Sequence, residues 1–165
     1  MYVFTLGYQG LSLERFVGIL EEHHVDILID VRDYPYSRKP GFSQVSLQHS
    51  LESRGIRYFH VKALGAPKSI RDAYRRSADW TRYSTDYKKY LSSQMRDLVQ
   101  VMRLATSKIC CLMCFEANPN QCHRLYVAAE LERLSSGKLQ VIHLTGQDLV
   151  DSLHLSYASV GISDR

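Results

Sequence analysis

The run VDILIDVR, Val25–Arg32, constrains this chain more than any other stretch. It is apolar at consecutive positions and rich in β-branched residues, with no polar alternation. A strand of that kind is buried on both faces, which is the situation in a parallel sheet covered by helices on either side. Parallel neighbours need crossover connections, so helices are expected between the strands.

The rest of the chain meets that expectation. YVFTL, Tyr2–Leu6, reads as a first strand ending at Gly7. Ser12 is placed to cap a helix whose Leu13, Phe16, Val17 and Leu20 recur at helical spacing. After the second strand, a helix is expected from about Ser43 to Arg54, stopping at Gly55, and IRYFHV, Ile56–Val61, supplies a third strand. Ala63–Ser77 is irregular, with Gly65, Pro67 and several charges, and reads as a long loop. Apolar positions between Asp86 and Ala105 indicate one long helix or two joined pieces. KICCLMCF, Lys108–Phe115, is the fourth strand, a helix is expected over about Pro119–Leu134, and LQVIHL is the fifth strand. The pattern predicts a three-layer α/β/α sandwich with a mainly parallel five-stranded sheet. It is one domain, residues 1–165, with a core over about 2–145, an excursion over about 63–90 and a short C-terminal tail, 146–165, in which a short helix is expected from Gly146 and Tyr157–Arg165 is either an unordered tail or a dimer contact.

Composition excludes several classes. Hydrophobic residues at 45% and charged residues at 23% suit a folded soluble protein, and no low-complexity run or repeat interrupts them. MYVFTLGYQG has neither a basic leader nor a long apolar core, and no apolar run approaches the ~18 residues of a membrane span. The expectation is a cytoplasmic protein without membrane contact. The four cysteines, Cys110, Cys111, Cys114 and Cys122, crowd into one region and are expected reduced. Net charge is only +4, but basic residues concentrate between Arg54 and Arg96 among Tyr74, Trp80, Tyr83, Tyr87 and Tyr90. That mixture suits a nucleic-acid backbone with stacked bases, or equally a solvated helical face with tyrosines packed beneath it.

In open parallel sheets ligands bind outside the carboxyl ends of the strands. Here those ends carry Gly7 and Tyr8, Asp30 and Arg32, His60, Cys114 and Glu116, and His143. Strand alternation puts Asp30 with Arg32 on one face and Cys114 with Glu116 on one face. In CFEANPNQCHR, Asn118 followed by Pro119 reads as a helix cap with proline in the first turn, so that Cys122, His123 and Arg124 lie at a positive helix end suited to a phosphate and to a low thiol pKa. Cys114, Cys122 and His123 are also a possible metal set. Seven residues separate the two cysteines, however, whereas structural zinc sites favour tight CxxC pairs, and Cys111 and Cys114 on one strand face opposite ways; no metal and no cofactor are expected. Cys110 and Cys111 are then small buried hydrophobes.

The segments TLGYQG, LIDVRDYP with SR after it, GIRYFHVKALG and CLMCFEANPNQCHR, with a closing strand ending in His143, together resemble the domain of unknown function 488 family, from about Thr5 to His143. The resemblance implies an α/β fold and a site at the strand rim, and no reaction.

The residues themselves support an enzyme, a hydrolase or transferase, acting on a phosphate-bearing small molecule or nucleic acid. Gly7, Tyr8, Arg32, Arg38, Arg124, His60 and His143 are the expected substrate-binding residues, the arginines as anion clamps. Glu116 and Asp30 are the expected nucleophile or base, with His123 or His143 as proton donor, a kit suited to N-glycosidic cleavage or base transfer. A second reading makes Cys122 or Cys114 the nucleophile of thiol or phosphoryl-transfer chemistry. A third is a nucleic-acid-binding module without catalysis, and a fourth makes the same charges a buried ion-pair network. Oligomeric state is not readable from the sequence.

Overall fold

The computed structural model describes residues 1–146. Its core is a five-stranded sheet of β1 (Tyr2–Gly7), β2 (Ile27–Asp30), β3 (Arg57–His60), β4 (Cys110–Cys114) and β5 (Gln140–His143), in the order β3-β2-β4-β1-β5 with every pairing parallel. The α/β sandwich expected from the sequence is the observed fold. The tail helix or dimer contact expected after Gly146 lies outside the described residues.

Alternation along each strand divides the interior in two. On one face Phe4, Leu6, Leu28, Cys111 and Met113 pack against Phe16, Val17, Ile19 and Leu20 of α1 (Leu13–Glu22) and Leu47 and Leu51 of α2 (Gln44–Glu52). Ser12 caps α1 by accepting from the Arg15 amide, and Gly55 takes the left-handed conformation (φ +77°) after α2. On the other face Val3, Ile27, Ile29, Val31, Cys110, Leu112 and Cys114 meet three further helices. These are α4 (Trp80–Ser92), α5 (Met95–Ala105) and α6 (Arg124–Leu134), so the region from Asp86 to Ala105 is two joined pieces. Cys111 and Cys114 do lie on opposite faces.

Two segments differ from the sequence reading. Ala63–Ser77 is not a loop: a 3-10 turn at Lys62–Leu64 leads into α3 (Lys68–Ser77). Its charged side chains and half-buried surface lack the wide apolar stripe that announces a helix, and α3 buries no residue fully. The helix expected from Pro119 is broken. Asn118 does cap, by accepting from the Asn120 amide, but what it caps is a 3-10 turn at Pro119–Gln121; Cys122 is extended (φ −137°, ψ 139°) and α6 starts only at Arg124. A short interruption of this kind carries no composition signal. Among the described residues no helix is long and apolar enough to cross a membrane.

The strand order locates a crevice. The connection leaving β2 runs outward to β3, whereas that leaving β4 runs the other way to β5, so the loops after these neighbouring strands diverge. Divergence of this sort opens a binding crevice at the carboxyl ends of the strands.

Candidate functional site

A cavity of about 440 Å³ opens at that point, and its lining comes from both diverging loops: Arg32, Asp33, Tyr34 and Tyr36 after β2, and Cys114, Phe115 and Glu116 at the end of β4. Tyr8 follows β1, and His123 precedes α6. The opposite wall is Arg71, Tyr74 and Arg75 of α3 with Trp80 and Tyr83 of α4. Trp80 stacks on Tyr83 (centroids 4.8 Å apart, 16° between planes) and Tyr74 meets the Trp80 ring edge-on at 5.7 Å.

The floor is a cluster of reactive groups. Cys114 Sγ donates to Glu116 Oε2 at 3.3 Å and lies 3.7 Å from His123 Nδ1. His123 Nε2 is 2.7 Å from the Val31 carbonyl. A carbonyl only accepts, so Nε2 carries the proton and Nδ1 is turned toward the sulfur atoms. One ligand-capable atom from each of Cys114, Cys122 and His123 lies within 4.8 Å of the others, all three residues being buried. Among the described residues, these three form a set able to hold a metal. Seven residues separate Cys114 from Cys122, and the turn at Pro119–Gln121 brings the chain back to the end of β4.

Burial opposes ionisation of Cys122, but hydrogen bonds from Cys114 and His123, and the charges of His123 and Arg124, hold its thiol well below the ordinary value. Its hydrogen bond to Cys122, together with burial, pushes the Cys114 thiol well up. Burial and then the negative Cys122 push the Glu116 carboxyl up to about 7. For His123, burial lowers the pKa, yet the hydrogen bond and charge of Cys122 raise it overall. These directions favour ionisation of Cys122 and the charged form of His123, and disfavour ionisation of Cys114. The low Cys122 pKa expected from a helix end has a different origin, because Cys122 precedes α6 rather than lying in its first turn.

Other expected site residues serve the frame. Asp30 is fully buried and takes both Arg32 Nε and Nη2 (2.6 Å to Nη2) and the Tyr58 hydroxyl (2.6 Å). Arg32 also donates through Nη1 to the Tyr8 hydroxyl and the Phe42 carbonyl, so its guanidinium is committed even though it borders the cavity. Burial lowers the Arg32 pKa, but Asp30 outweighs it and the charge is held firmly. Burial and Asp30 raise the Tyr58 hydroxyl. Arg124 is fully buried and donates to the carbonyls of Glu116 and Ala117 and to Thr5 Oγ1, which makes it the clamp of the loop that carries Glu116. His60 donates from Nε2 to the Arg32 carbonyl at 2.7 Å, and His143 Nδ1 meets Thr5 Oγ1 at 2.8 Å; neither lines the cavity. Burial, then Arg124, lowers the His143 pKa. Arg38 is exposed and also off the cavity lining.

Gly7 and Gly65 are required by close approach. A Cβ on Gly7 would lie 1.7 Å from the Glu116 carbonyl oxygen, and one on Gly65 would lie 2.2 Å from the Asp33 amide nitrogen. Both glycines let a neighbouring strand end press against the site.

The sequence reading missed Asp33, Tyr34, Tyr36, Arg71 and Arg75. Arg71 donates to Asp33 at 2.6 Å and to the Ala66 carbonyl, and Arg75, largely exposed, pairs with Asp72 at 3.1 Å. Arg71 and Arg75 are one helical turn apart, a signal that becomes visible only once Lys68–Ser77 is recognised as a helix.

The family described as Domain of unknown function DUF488 matches residues 12–131. No curated protein and no solved structure matches the chain.

Proposed function

The chain belongs to the DUF488 family, and because membership there names no reaction, we propose from the geometry that it is an enzyme whose cavity takes a nucleotide unit, free or within a nucleic acid. The carrying observation is that one cavity is lined together by stacked aromatic rings, the two arginines Arg71 and Arg75 and the Glu116 carboxyl group. Trp80, Tyr83 and Tyr74 line the cavity with aromatic surface that suits a planar base, and Arg71 and Arg75 suit a phosphate. About 440 Å³ is within the range of small-ligand pockets.

N-glycosidic cleavage or base transfer is the reaction class. In hydrolysis the C1′–N bond breaks, the water oxygen bonds C1′, and the water's proton passes to the departing base; in transfer an incoming base replaces water. Glu116 is the group placed to move the proton. Asp30, the sequence-expected partner carboxylate, is held in its ion pair with Arg32, and Asp33 is the second carboxylate of the cavity.

The thiol reading is favoured by the Cys114–His123 separation of 3.7 Å. Against it, Cys122, the thiol whose ionisation is favoured, is only 1% exposed and absent from the cavity lining, while ionisation of Cys114, which does line it, is disfavoured.

The test is mass spectrometry of wild type and Glu116→Gln incubated with nucleosides, nucleotides and oligonucleotides carrying ordinary and modified bases, both proteins checked for equal thermal stability. Base release or exchange by wild type alone supports the reading. Absence of product, with equal oligonucleotide retention by both proteins, transfers the cavity to a binding module.

A further inference from the structure

We propose that Cys114, Cys122 and His123 bind one divalent transition-metal ion, zinc by the nature of the donors, with a coordination position open to the cavity beside Glu116. The proposal goes beyond the nucleotide reading and does not depend on it.

The donor set comes first. Two sulfurs and an imidazole nitrogen are a soft and borderline combination that selects zinc over magnesium or calcium. Thiolate and imidazole ligands at ~2.3 and ~2.0 Å from one zinc ion stand roughly 3.5–4 Å apart in a tetrahedron. The Cys114 Sγ to His123 Nδ1 distance of 3.7 Å falls inside that range, and all three donor atoms are within 4.8 Å of one another.

The second observation is independent of those distances. His123 gives its Nε2 proton to the Val31 carbonyl at 2.7 Å, which fixes the ring and directs Nδ1 at the two sulfurs. A backbone carbonyl on the far nitrogen is the usual orienting partner of a metal-bound histidine. The donors also sit on fixed backbone: Cys114 ends β4, Cys122 is bonded through its amide to the Pro119 carbonyl, and His123 caps α6. Tyr87 packs against the His123 ring, with centroids 5.2 Å apart and 66° between the planes.

Third, the arrangement has the openness of a reactive centre. Cys114, His123 and Glu116 line the cavity, whereas Cys122 lies behind them. Three protein ligands with an accessible fourth position are the pattern of catalytic zinc sites, where the ion polarises a substrate oxygen or a bound water. Glu116, with Oε2 3.3 Å from Cys114 Sγ, stands where it would exchange a proton with such a water.

The experiment uses the full chain purified in reductant, stripped by a chelator and dialysed against Zn²⁺ or, separately, Co²⁺. The expected result is one zinc per chain retained through gel filtration by elemental mass spectrometry. The cobalt form should show a sulfur-to-metal charge-transfer band. Zinc should protect Cys114 and Cys122 from alkylation by N-ethylmaleimide in partly unfolding urea, as mapped by peptide mass spectrometry, with no such protection at Cys110 and Cys111. His123→Ala should weaken zinc affinity at least tenfold, and Cys111→Ala should leave it unchanged. Failure of the reduced, folded wild type to retain zinc overturns the proposal, as does zinc that protects neither Cys114 nor Cys122. The protection measurement needs no variant, so a His123→Ala protein that does not fold leaves the question decided by wild type. No substrate enters the readout; loss of the zinc result leaves the nucleotide reading intact, and an inactive enzyme that holds zinc leaves this one intact.

Discussion

Asp30 shows how closely one residue can be committed. Its two oxygens accept from Arg32 and from Tyr58 inside the sheet, with the carboxylate fully buried. Removing one partner of a buried pair leaves the other charge uncompensated, which costs about 3–5 kcal/mol. Asp30→Asn is therefore expected to lower stability by that amount in urea unfolding, and a loss below about 1 kcal/mol, the scale of exposed pairs, would contradict the assignment. The buried-network reading of the DVR segment thus holds for Asp30 and Arg32, at a strand end where sequence alone also allowed catalysis. Gly7 is the second residue-scale case. Its missing Cβ leaves room for the Glu116 carbonyl, so Gly7→Ala must displace either β1 or the loop bearing Glu116. The expected outcome is a loss of about 1–3 kcal/mol, from overpacking, in thermal unfolding. If Gly7→Ala matches wild type in stability, the close approach is not required.

At the scale of elements, α3 and α4 decide what the cavity is made of. Ala78, at the end of α3, is left-handed (φ +52°), a conformation in which a side chain is strained and glycine is not. Ala78→Gly is expected to stabilise the protein by up to about 1 kcal/mol, measured as a higher urea midpoint with unchanged slope. A lower midpoint would show that the strain is smaller than the added freedom of the unfolded chain. Trp80 opens α4 and forms the stacked wall with Tyr83. On the nucleotide reading, Trp80→Ala removes a stacking contribution of about 1–3 kcal/mol, roughly 5- to 150-fold in nucleotide affinity by calorimetry, while the sheet stays folded. Unaltered affinity would place the base elsewhere. The aromatic and basic composition of this region was legible in the sequence; which rings are buried and which border the cavity was not. Tyr87 is buried in the core, whereas Trp80 and Tyr74 reach the cavity.

For the molecule as a whole, the distribution of charge separates a nucleotide pocket from an extended nucleic-acid track. Among the cavity-lining arginines, Arg71 and Arg75 are the more exposed, each paired with one aspartate (Asp33 and Asp72), whereas Arg32 is buried against Asp30 and Tyr8. Contact with one or two phosphates predicts a log-log salt slope for single-stranded oligonucleotide binding of about −0.7 to −1.4. A slope several times steeper, measured by fluorescence anisotropy between low and moderate salt, would mean that the exposed basic residues outside the cavity form the binding surface.

The sequence by itself determined the alternating elements, the parallel sheet and the strand ends at which chemistry gathers. Val25–Arg32 was readable because an unbroken apolar run has few places to go other than a sheet covered on both sides. The pairing of Asp30 with Arg32 and of Cys114 with Glu116 followed from strand alternation alone. What only the tertiary structure decided was which of those polar groups face outward. Asp30, Arg124, His60 and His143 share the rim with Glu116, yet their hydrogen bonds turn inward, and such partners lie far away in sequence: Tyr58 for Asp30, Thr5 for His143 and Arg124. The broken helix at Cys122 and the approach of His123 to Cys114 depend likewise on a turn seated against β1 and on the Val31 carbonyl of another strand end. Local patterns encode which face a side chain occupies, because backbone geometry repeats every two or 3.6 residues. They do not encode what comes to meet it, because that contact closes only when distant segments pack.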